Sequence, residues 1–183
     1  MNNKRSKDLT SIAIMIAIII VLGLFPPIPL GFLPVPIVLQ NLGIMLSGSL
    51  LGAKKGSAVV AGFLILAAIG FPVLTGGNGG LQAFYGPSST YLFAYLMTAF
   101  LIGLARDRQL LSQDRPLFVQ YLAIWIPGVL LTNLVGAIGM SHFGNMPYLT
   151  AAASTLVFYL GDSIKAFLVL ILVKRLDKLA IFK

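Results

Sequence analysis

The sequence predicts an all-α integral membrane protein with six transmembrane helices and both termini in the cytoplasm. Apolar residues make up 58% of the 183 positions and charged residues only 10%, whereas a soluble domain carries about 25% charged residues. The few charges are gathered in short clusters, and the apolar tracts between those clusters are long. A soluble globule of this size could not bury so much apolar surface, so we exclude that class of protein.

Three tracts hold the six predicted spans, two in each tract. Residues 9–53 and 56–105 contain no charged residue, and residues 116–173 contain only Asp162 and Lys165. A helix that crosses about 30 Å of hydrocarbon needs about 20 residues, so each tract has room for two helices and a turn. Proline and glycine clusters at residues 26–36, 72–87 and 139–147 mark those turns. Continuous apolar runs such as residues 12–24 contradict the alternation of a β-barrel.

The basic residues indicate the orientation of the chain in the membrane. Twelve of the 13 Lys and Arg residues precede the first span, separate spans two and three or four and five, or follow the sixth. Cytoplasmic loops carry the excess of Lys and Arg, so we expect both termini inside and one transmembrane substrate-binding domain over residues 1–183. A cleaved signal peptide is the alternative for the N-terminus, although the apolar run ends in prolines and not in a cleavage site.

The loops on the opposite side predict a covered pocket. The first, at about residues 26–36, is apolar and rich in proline, and the second, at about residues 71–85, is rich in glycine. Spans two and three are short for a full crossing, and irregular backbone enters membrane depth only where protein or a cavity covers it. We therefore expect the loops to form a lid over a pocket that opens to the outside. The alternative is that both loops are plain surface turns.

Asp162 and Lys165 are the predicted centre of that pocket. They stand at positions i and i+3 of one helix, in a span predicted to start near Tyr148, and so share a face. Charged residues inside a membrane are costly and usually face a bundle interior or a cavity. We interpret the pair as a recognition point for a small polar molecule; a salt bridge that only fixes helix packing is the alternative.

Other functions find little support in the sequence. There is no cysteine, and no histidine or acid lies near enough in sequence to activate five of the serines, Ser47, Ser49, Ser88, Ser89 and Ser154, so we expect no catalysis. The single histidine, His142, lies in a predicted outer loop without further metal ligands nearby, so we expect no metal site. The basic residues form no continuous face, so we expect no nucleic-acid binding. There is no P-loop motif, so a partner must supply the energy for any uphill transport.

Small residues one helical turn apart predict close helix contacts. Ala13 and Ala17 in the first span present a candidate docking face for a partner helix. Gly48 and Gly52 in the second span have the same spacing, and we expect them to serve packing inside the bundle.

Three segments together resemble the BioY family, the biotin-binding S components of bacterial energy-coupling factor (ECF) transporters. They are residues 34–40 (PVPIVLQ), residues 76–91 with GGNGGL and YGPSSTY, and residues 160–166 (LGDSIKA). The resemblance covers essentially the whole chain. It implies a location in the cytoplasmic membrane, no cofactor, and biotin as the transported ligand. It also implies a transmembrane coupling subunit that contacts Ala13 and Ala17, with two ATP-binding subunits below it.

The resemblance also implies the residues that bind the ligand. Asp162 would accept an N–H of the ureido ring of biotin, and Asn78 or Lys165 would donate to its carbonyl; whether Lys165 instead binds the carboxylate stays open. Aromatic side chains would cover the thiophane ring. The full set of candidate residues is Gln40, Asn78, Phe84, Tyr85, Tyr91, Asp162 and Lys165. The alternative functions are an S component for another vitamin and a helical-bundle membrane enzyme.

Overall fold

The structure, a computed structural model, describes residues 3–31 and 33–178. Lys183, which belongs to the predicted C-terminal basic cluster, lies outside these residues. Within them the chain is helical, with no β-strand and only two isolated antiparallel bridges. The helices are α1 (Asn3–Gly23), α2 (Gln40–Ala68), α3 (Ser89–Asp107), α4 (Leu117–Trp125), α5 (Thr132–Gly144), α6 (Tyr148–Ser154) and α7 (Leu156–Lys178).

The described helices have the length and composition of membrane spans. Five stretches qualify: Arg5–Gly23, Gln40–Ala68, Ser89–Asp107, Leu117–Gly144 and Leu156–Asp177. Their outward surfaces carry large apolar side chains such as Ile65, Phe118 and Leu160. An apolar outer surface is costly in water and is what a lipid-facing helix presents. The predicted class, an all-α bundle of apolar helices, is confirmed.

Helix α2 is a hairpin of two short arms, because the chain reverses direction at Gly52. This residue has φ 78° and ψ 179°, a conformation that only glycine adopts readily. A Cβ atom added to Gly56 would lie 2.8 Å from the Cα of Gly48, although a straight helix would separate these positions by about 12 Å. The sequence predicted the break at Lys54 and Lys55; the reversal comes two residues earlier.

Glycines let both arms of α2 pack closely against α3. A Cβ on Gly48 would lie 2.5 Å from the carbonyl oxygen of Ala99, and a Cβ on Gly103 would overlap the backbone of Ala53. Small residues at such crossings permit the close backbone approach that stabilises membrane helix pairs. Gly48 thus serves packing inside the bundle, as the sequence predicted, whereas Gly52 forms the turn between the two arms. At the turn, Asp107 Oδ2 accepts the backbone N–H of Ala53 at 3.0 Å.

A π-helical turn, Ile126–Leu131, joins α4 to α5 without a break in the rod. The carbonyl of Pro127 accepts hydrogen bonds from the hydroxyls of Thr98 (3.1 Å) and Thr132 (2.8 Å), which are themselves 2.6 Å apart. A π turn adds a residue to the helical repeat and so rotates the face that the following residues present. In this chain the residue that follows Thr132 is Asn133, whose side chain reaches the cavity described below.

The last predicted span is divided in the structure. Asn145 has a left-handed conformation (φ 49°), Pro147 precedes α6, and α6 ends before Thr155. The helix that carries Asp162 and Lys165 therefore begins at Leu156 and not near Tyr148. The interruption places both charged residues in the first half of α7, close to the end where the loops lie.

The two long loops are ordered against the helix ends. Ile28 and Ile37 pair across the first loop, each donating its N–H to the other's carbonyl at 3.0 Å. Leu74 and Asn78 form a similar bridge in the second loop, which continues into a 3-10 turn at Leu81–Phe84. Both loops contribute residues to one cavity, in agreement with the predicted lid.

Candidate ligand-binding cavity

A cavity of about 420 Å³ lies between the two loops and the ends of α2, α3, α5 and α7. Pockets of about 300–1,000 Å³ accommodate small organic ligands. Asp162 and Lys165 are the only charged side chains among the described residues that line it, so its formal charge is neutral. The side chains of chief interest on its walls are Gln40, Asn41, Asn78, Gln82, Tyr85, Tyr91, Tyr95, Thr132, Asn133, Phe158, Asp162 and Lys165.

The carboxylate of Asp162 is held by three donors at a buried position. Its Oδ1 accepts hydrogen bonds from Asn41 Nδ2 at 2.7 Å and from Lys165 Nζ at 2.8 Å, and its Oδ2 accepts one from Asn133 Nδ2 at 3.0 Å. The residue is only 6% exposed. A buried charge needs this degree of pairing, because an unpaired carboxylate in an apolar interior is very costly. The donors fix the orientation of the carboxylate and leave it room to accept a further hydrogen bond on Oδ2.

Lys165 is equally restrained. Its ammonium donates to Asp162 and, at 2.7 Å, to the backbone carbonyl of Val38 in the first loop. The second bond ties α7 to the loop that covers the cavity. An ammonium has three N–H donors, so one remains for a ligand. The pair is thus both a salt bridge within the fold and a polar surface that faces the cavity.

Asn41 and Asn133 are cavity residues that the sequence did not reveal. Both are buried and both donate to Asp162, from helices α2 and α5. A neutral amide in an apolar tract changes neither the charge pattern nor the span count. Asn41 directly follows the 34–40 motif, and that position next to Gln40 was the available signal.

Gln40 lines the cavity but its side-chain amide is used within the fold. Its Nε2 donates to the carbonyls of Ile19 (3.2 Å) and Val73 (2.8 Å), while its Oε1 accepts from the N–H and the hydroxyl of Thr75. This network joins α1, α2 and the second loop at the cavity edge. The amide of Gln40 thus positions the elements around the cavity, and contact of Gln40 with a ligand stays a prediction.

Asn78 and Tyr85 stand at the mouth of the cavity. Both are exposed, and Tyr85 packs edge-on against Phe143 with ring centroids 5.0 Å apart. Asn78 Nδ2 donates to the carbonyl of Thr75 at 3.1 Å within its own loop. These two predicted residues are therefore placed where they can contact the outer part of a ligand.

The other two predicted aromatic residues have different environments. Tyr91 is buried on the cavity wall, edge-on to Phe158 at 6.4 Å. Phe84 does not line the cavity; it packs against Phe93 at 6.2 Å. Residues 81–84 form a 3-10 turn, in which successive side chains point about 120° apart, so Ala83 and Tyr85 face the cavity and Phe84 does not.

The described residues contain no group of three or more His, Cys, Asp or Glu side chains that could hold a metal ion. His142, near the end of α5, packs edge-on against Phe143 with ring centroids 4.9 Å apart. The Asp162–Lys165 pair forms the polar floor of the cavity, and aromatic side chains such as Tyr91, Tyr95 and Phe158 line its walls.

The sequence profile of the BioY family matches residues 1–181. The chain belongs to the BioY family. This finding confirms the resemblance carried by the three motif segments. The Asp162–Lys165 floor and the two loops over it are thus features of a BioY member.

Individual relatives agree with this assignment. A biotin transporter BioY of Lactococcus lactis subsp. cremoris is 49% identical over 177 residues, which are 97% of this chain and 94% of the relative. A biotin transporter BioY of Rhizobium etli is 39% identical over 165 residues, 88% of each chain. The crystal structure of the S-component for biotin from an ECF-type ABC transporter superposes with a TM-score of 0.91 at 50% identity, over 97% of this chain and 94% of that one. This BioY chain therefore has the S-component fold.

Ala13 and Ala17 lie away from the cavity, on the outer surface of α1. Both are exposed, whereas Met15 and Ile19 on the opposite face are fully buried. The two alanines thus form a shallow strip that a partner helix or lipid can contact, and their role at an interface stays a prediction.

Proposed function

We propose that this chain binds biotin as the substrate-binding subunit of an ECF-type uptake transporter. The observation that carries the proposal is the buried Asp162–Lys165 pair at the floor of a cavity with aromatic walls. The names of the relatives, biotin transporter and S-component for biotin, support the same ligand. The proposed role is transport, with biotin as cargo and no catalytic cofactor.

The chemistry of biotin suits this floor. Its ureido ring offers two N–H donors and one carbonyl acceptor, and the fused rings are apolar. Asp162 Oδ2 accepts a ureido N–H, and the remaining N–H of Lys165 donates to the ureido carbonyl. Tyr91, Tyr95 and Phe158 provide an apolar wall for the rings. A mostly apolar pocket with a few well-placed polar groups is the usual design for binding a small ligand tightly.

The charge of the cavity supports an orientation with the ureido ring at the floor and the carboxylate at the mouth. Asp162 already neutralises Lys165 at 2.8 Å, and the two are 6% and 7% exposed. A ligand carboxylate at this depth would add an uncompensated buried charge, which is costly. At the mouth, the carboxylate would stay hydrated and could accept hydrogen bonds from the amides of Asn78 and Gln82.

The hairpin in α2 supports a topology of six membrane segments in one domain over residues 1–183, with both termini inside. Its two arms, residues 40–51 and 53–68, run in opposite directions from the turn at Gly52. With the four other apolar stretches they make six segments. In a topology of six segments both termini lie on one side of the membrane, and the distribution of Lys and Arg favours the cytoplasmic side. The cavity then opens to the outside.

Energy must come from other subunits, because the sequence has no P-loop. We assign this role to two ATP-binding subunits and a transmembrane coupling subunit, which would contact the exposed strip at Ala13 and Ala17. The ECF-type ABC transporter named for the similar structure supports that arrangement.

Calorimetric titration of the detergent-solubilised chain tests the proposal. We expect saturable binding of biotin, no comparable binding of thiamine or riboflavin, and loss of biotin binding in Asp162→Asn. Tight binding of another vitamin instead of biotin would identify an S component of different specificity. Chemical turnover of a ligand by the isolated chain would indicate an enzyme and contradict the transport function.

A further inference from the structure

Asn41 has a buried hydrogen-bond acceptor with no partner in the described structure. The residue is 6% exposed and lines the cavity. Its Nδ2 donates to Asp162 Oδ1 at 2.7 Å, but its Oδ1 is buried and accepts no hydrogen bond. Most buried polar atoms are paired, because an unpaired one loses its hydration without compensation. An acceptor left open in the wall of a binding cavity is therefore suited to a donor on the ligand.

The charge of Asp162 determines which end of the Asn41 amide is open. An ionised carboxylate only accepts hydrogen bonds, so the NH₂ group of Asn41 must face it and the carbonyl oxygen must face away. The neighbouring Gln40 is different: both ends of its amide are paired within the protein. Asn133 is different too, since its Oδ1 lies 3.5 Å from the hydroxyl of Tyr91, within hydrogen-bond distance.

We propose that Asn41 Oδ1 accepts one of the two ureido N–H groups of biotin while Asp162 accepts the other. This inference rests on the proposed function and adds a specificity-determining residue to it. The site then recognises each ureido N–H separately, and Asn41 has two tasks: its NH₂ group orients Asp162 and its carbonyl binds the ligand. A ring that lacks either N–H leaves one buried acceptor unpaired and is rejected.

Two biotin analogues test the assignment. In each, a ring oxygen replaces one of the two ureido N–H groups, so the urea becomes a cyclic carbamate of nearly the same shape. Dissociation constants of biotin and both carbamates are measured for the unsubstituted chain, Asn41→Leu and Asn133→Leu. The Asn133 variant is the matched control, because it also removes a donor to Asp162 but no open acceptor.

The unsubstituted chain should bind both carbamates about tenfold more weakly than biotin, or worse, as expected for the loss of a buried hydrogen bond. In Asn41→Leu, the preference for biotin over one carbamate should fall by about tenfold, and the preference over the other should persist. In Asn133→Leu both preferences should persist, although overall affinity falls.

Three results would overturn the assignment. If Asn41→Leu keeps the preference for biotin over both carbamates, the carbonyl of Asn41 does not bind a ureido N–H. If Asn133→Leu loses as much of that preference as Asn41→Leu does, both amides only orient Asp162. If neither Asn41→Leu nor the smaller Asn41→Ala folds, the unsubstituted chain still decides: affinity for either carbamate equal to that for biotin contradicts recognition of both N–H groups. Absence of biotin binding by the unsubstituted chain would instead overturn the proposed function itself, and this inference with it.

Discussion

Asn133 on α5 donates to the carboxylate of Asp162 on α7 across 3.0 Å. The bond depends on the π-helical turn that precedes α5, since that turn sets the face on which Asn133 lies. Asn133 Nδ2 also donates to the carbonyl of Val129, inside the same turn. An irregularity in the backbone of one helix is thereby connected directly to the buried charge of another.

Asn133→Ala should weaken biotin binding by about 10- to 100-fold. A hydrogen bond to a charged group contributes about 1.5–3 kcal/mol, and each 1.4 kcal/mol is a factor of ten in the dissociation constant. Titration of monodisperse protein measures the change. Thr150→Ala, at an exposed position of α6, serves as a control for a substitution to Ala outside the cavity. An affinity unchanged from that of the parent chain would mean that Asp162 keeps its orientation without Asn133.

Asp162→Asn and Lys165→Ala should each reduce biotin affinity by more than about a hundredfold. Removing one partner of a buried pair leaves the other charge uncompensated, at a cost of about 3–5 kcal/mol. Part of that cost falls on folding, so the temperature of unfolding should be measured together with the dissociation constant. Near-normal affinity in both variants would remove the pair from the binding site and leave it a structural salt bridge.

Asn78→Ala should have a smaller effect, about fivefold, because Asn78 is exposed at the cavity mouth and offers one hydrogen bond to the ligand, worth about 1 kcal/mol. The methyl ester of biotin separates the two possible contacts of Asn78. If Asn78 binds the carboxylate, the variant should lose discrimination between biotin and its ester; if it binds the ureido carbonyl, discrimination should stay unchanged. Equal affinity of the variant and the parent chain for both ligands would exclude Asn78 from the site.

The sequence predicted the charged centre of the site and missed the amides around it. Asp162 and Lys165 interrupt an otherwise uncharged tract, and a charge inside a membrane span needs an explanation. Asn41 and Asn133 carry no charge, and they contact Asp162 across 121 and 29 positions of the chain. No local pattern encodes such a contact, since it depends on how the helices pack.

The positions of the helix breaks, like the site residues, could be predicted from the sequence only in part. Charged residues and prolines predicted six segments, because they mark where the chain leaves the apolar layer. The exact reversal in α2 lies at Gly52 and not at Lys54, since lysines mark the aqueous boundary while the turn itself needs a residue that tolerates positive φ. Neither the π turn at Pro127 nor the interruption at Thr155 was predicted, because hydropathy is the same on both sides of each.

Gly52→Ala should destabilise the fold by more than the same substitution at a glycine with open space around it. Its φ of 78° is strained for any side chain, and a Cβ at this position would overlap the carboxylate of Asp107. That carboxylate accepts the N–H of Ala53, so its displacement also leaves the second arm of α2 without this cap. Thermal unfolding in detergent measures the effect. Gly31→Ala is the matched control, because Gly31 also has positive φ, and in the part of the chain that the structure describes no neighbour lies within 4 Å of an added Cβ. Equal loss of stability in both variants would mean that the contact with Asp107 contributes nothing.

Replacing both Ala13 and Ala17 by Trp should abolish uptake while leaving biotin binding intact. The two alanines are exposed on α1, on the face opposite Met15 and Ile19, so larger side chains can extend outward without disturbing the core. A partner helix that packs against small residues, however, cannot approach two indole rings closely. Biotin titration of the isolated chain and uptake of labelled biotin by cells that express the coupling and ATP-binding subunits measure the two properties separately.

The control for this experiment places the same substitutions on another lipid-facing surface. Leu160 and Ile164 on α7 are 75% and 56% exposed and have the same spacing of four residues. Trp at both of these positions should leave binding and uptake unchanged, because Leu160 and Ile164 are already large side chains and this surface is not the predicted contact of the coupling subunit. Normal uptake in the Ala13 and Ala17 variant would show that the coupling subunit binds elsewhere. Loss of biotin binding in that variant would show instead that the two positions support the bundle, since the cavity is formed by other helices and the loops between them.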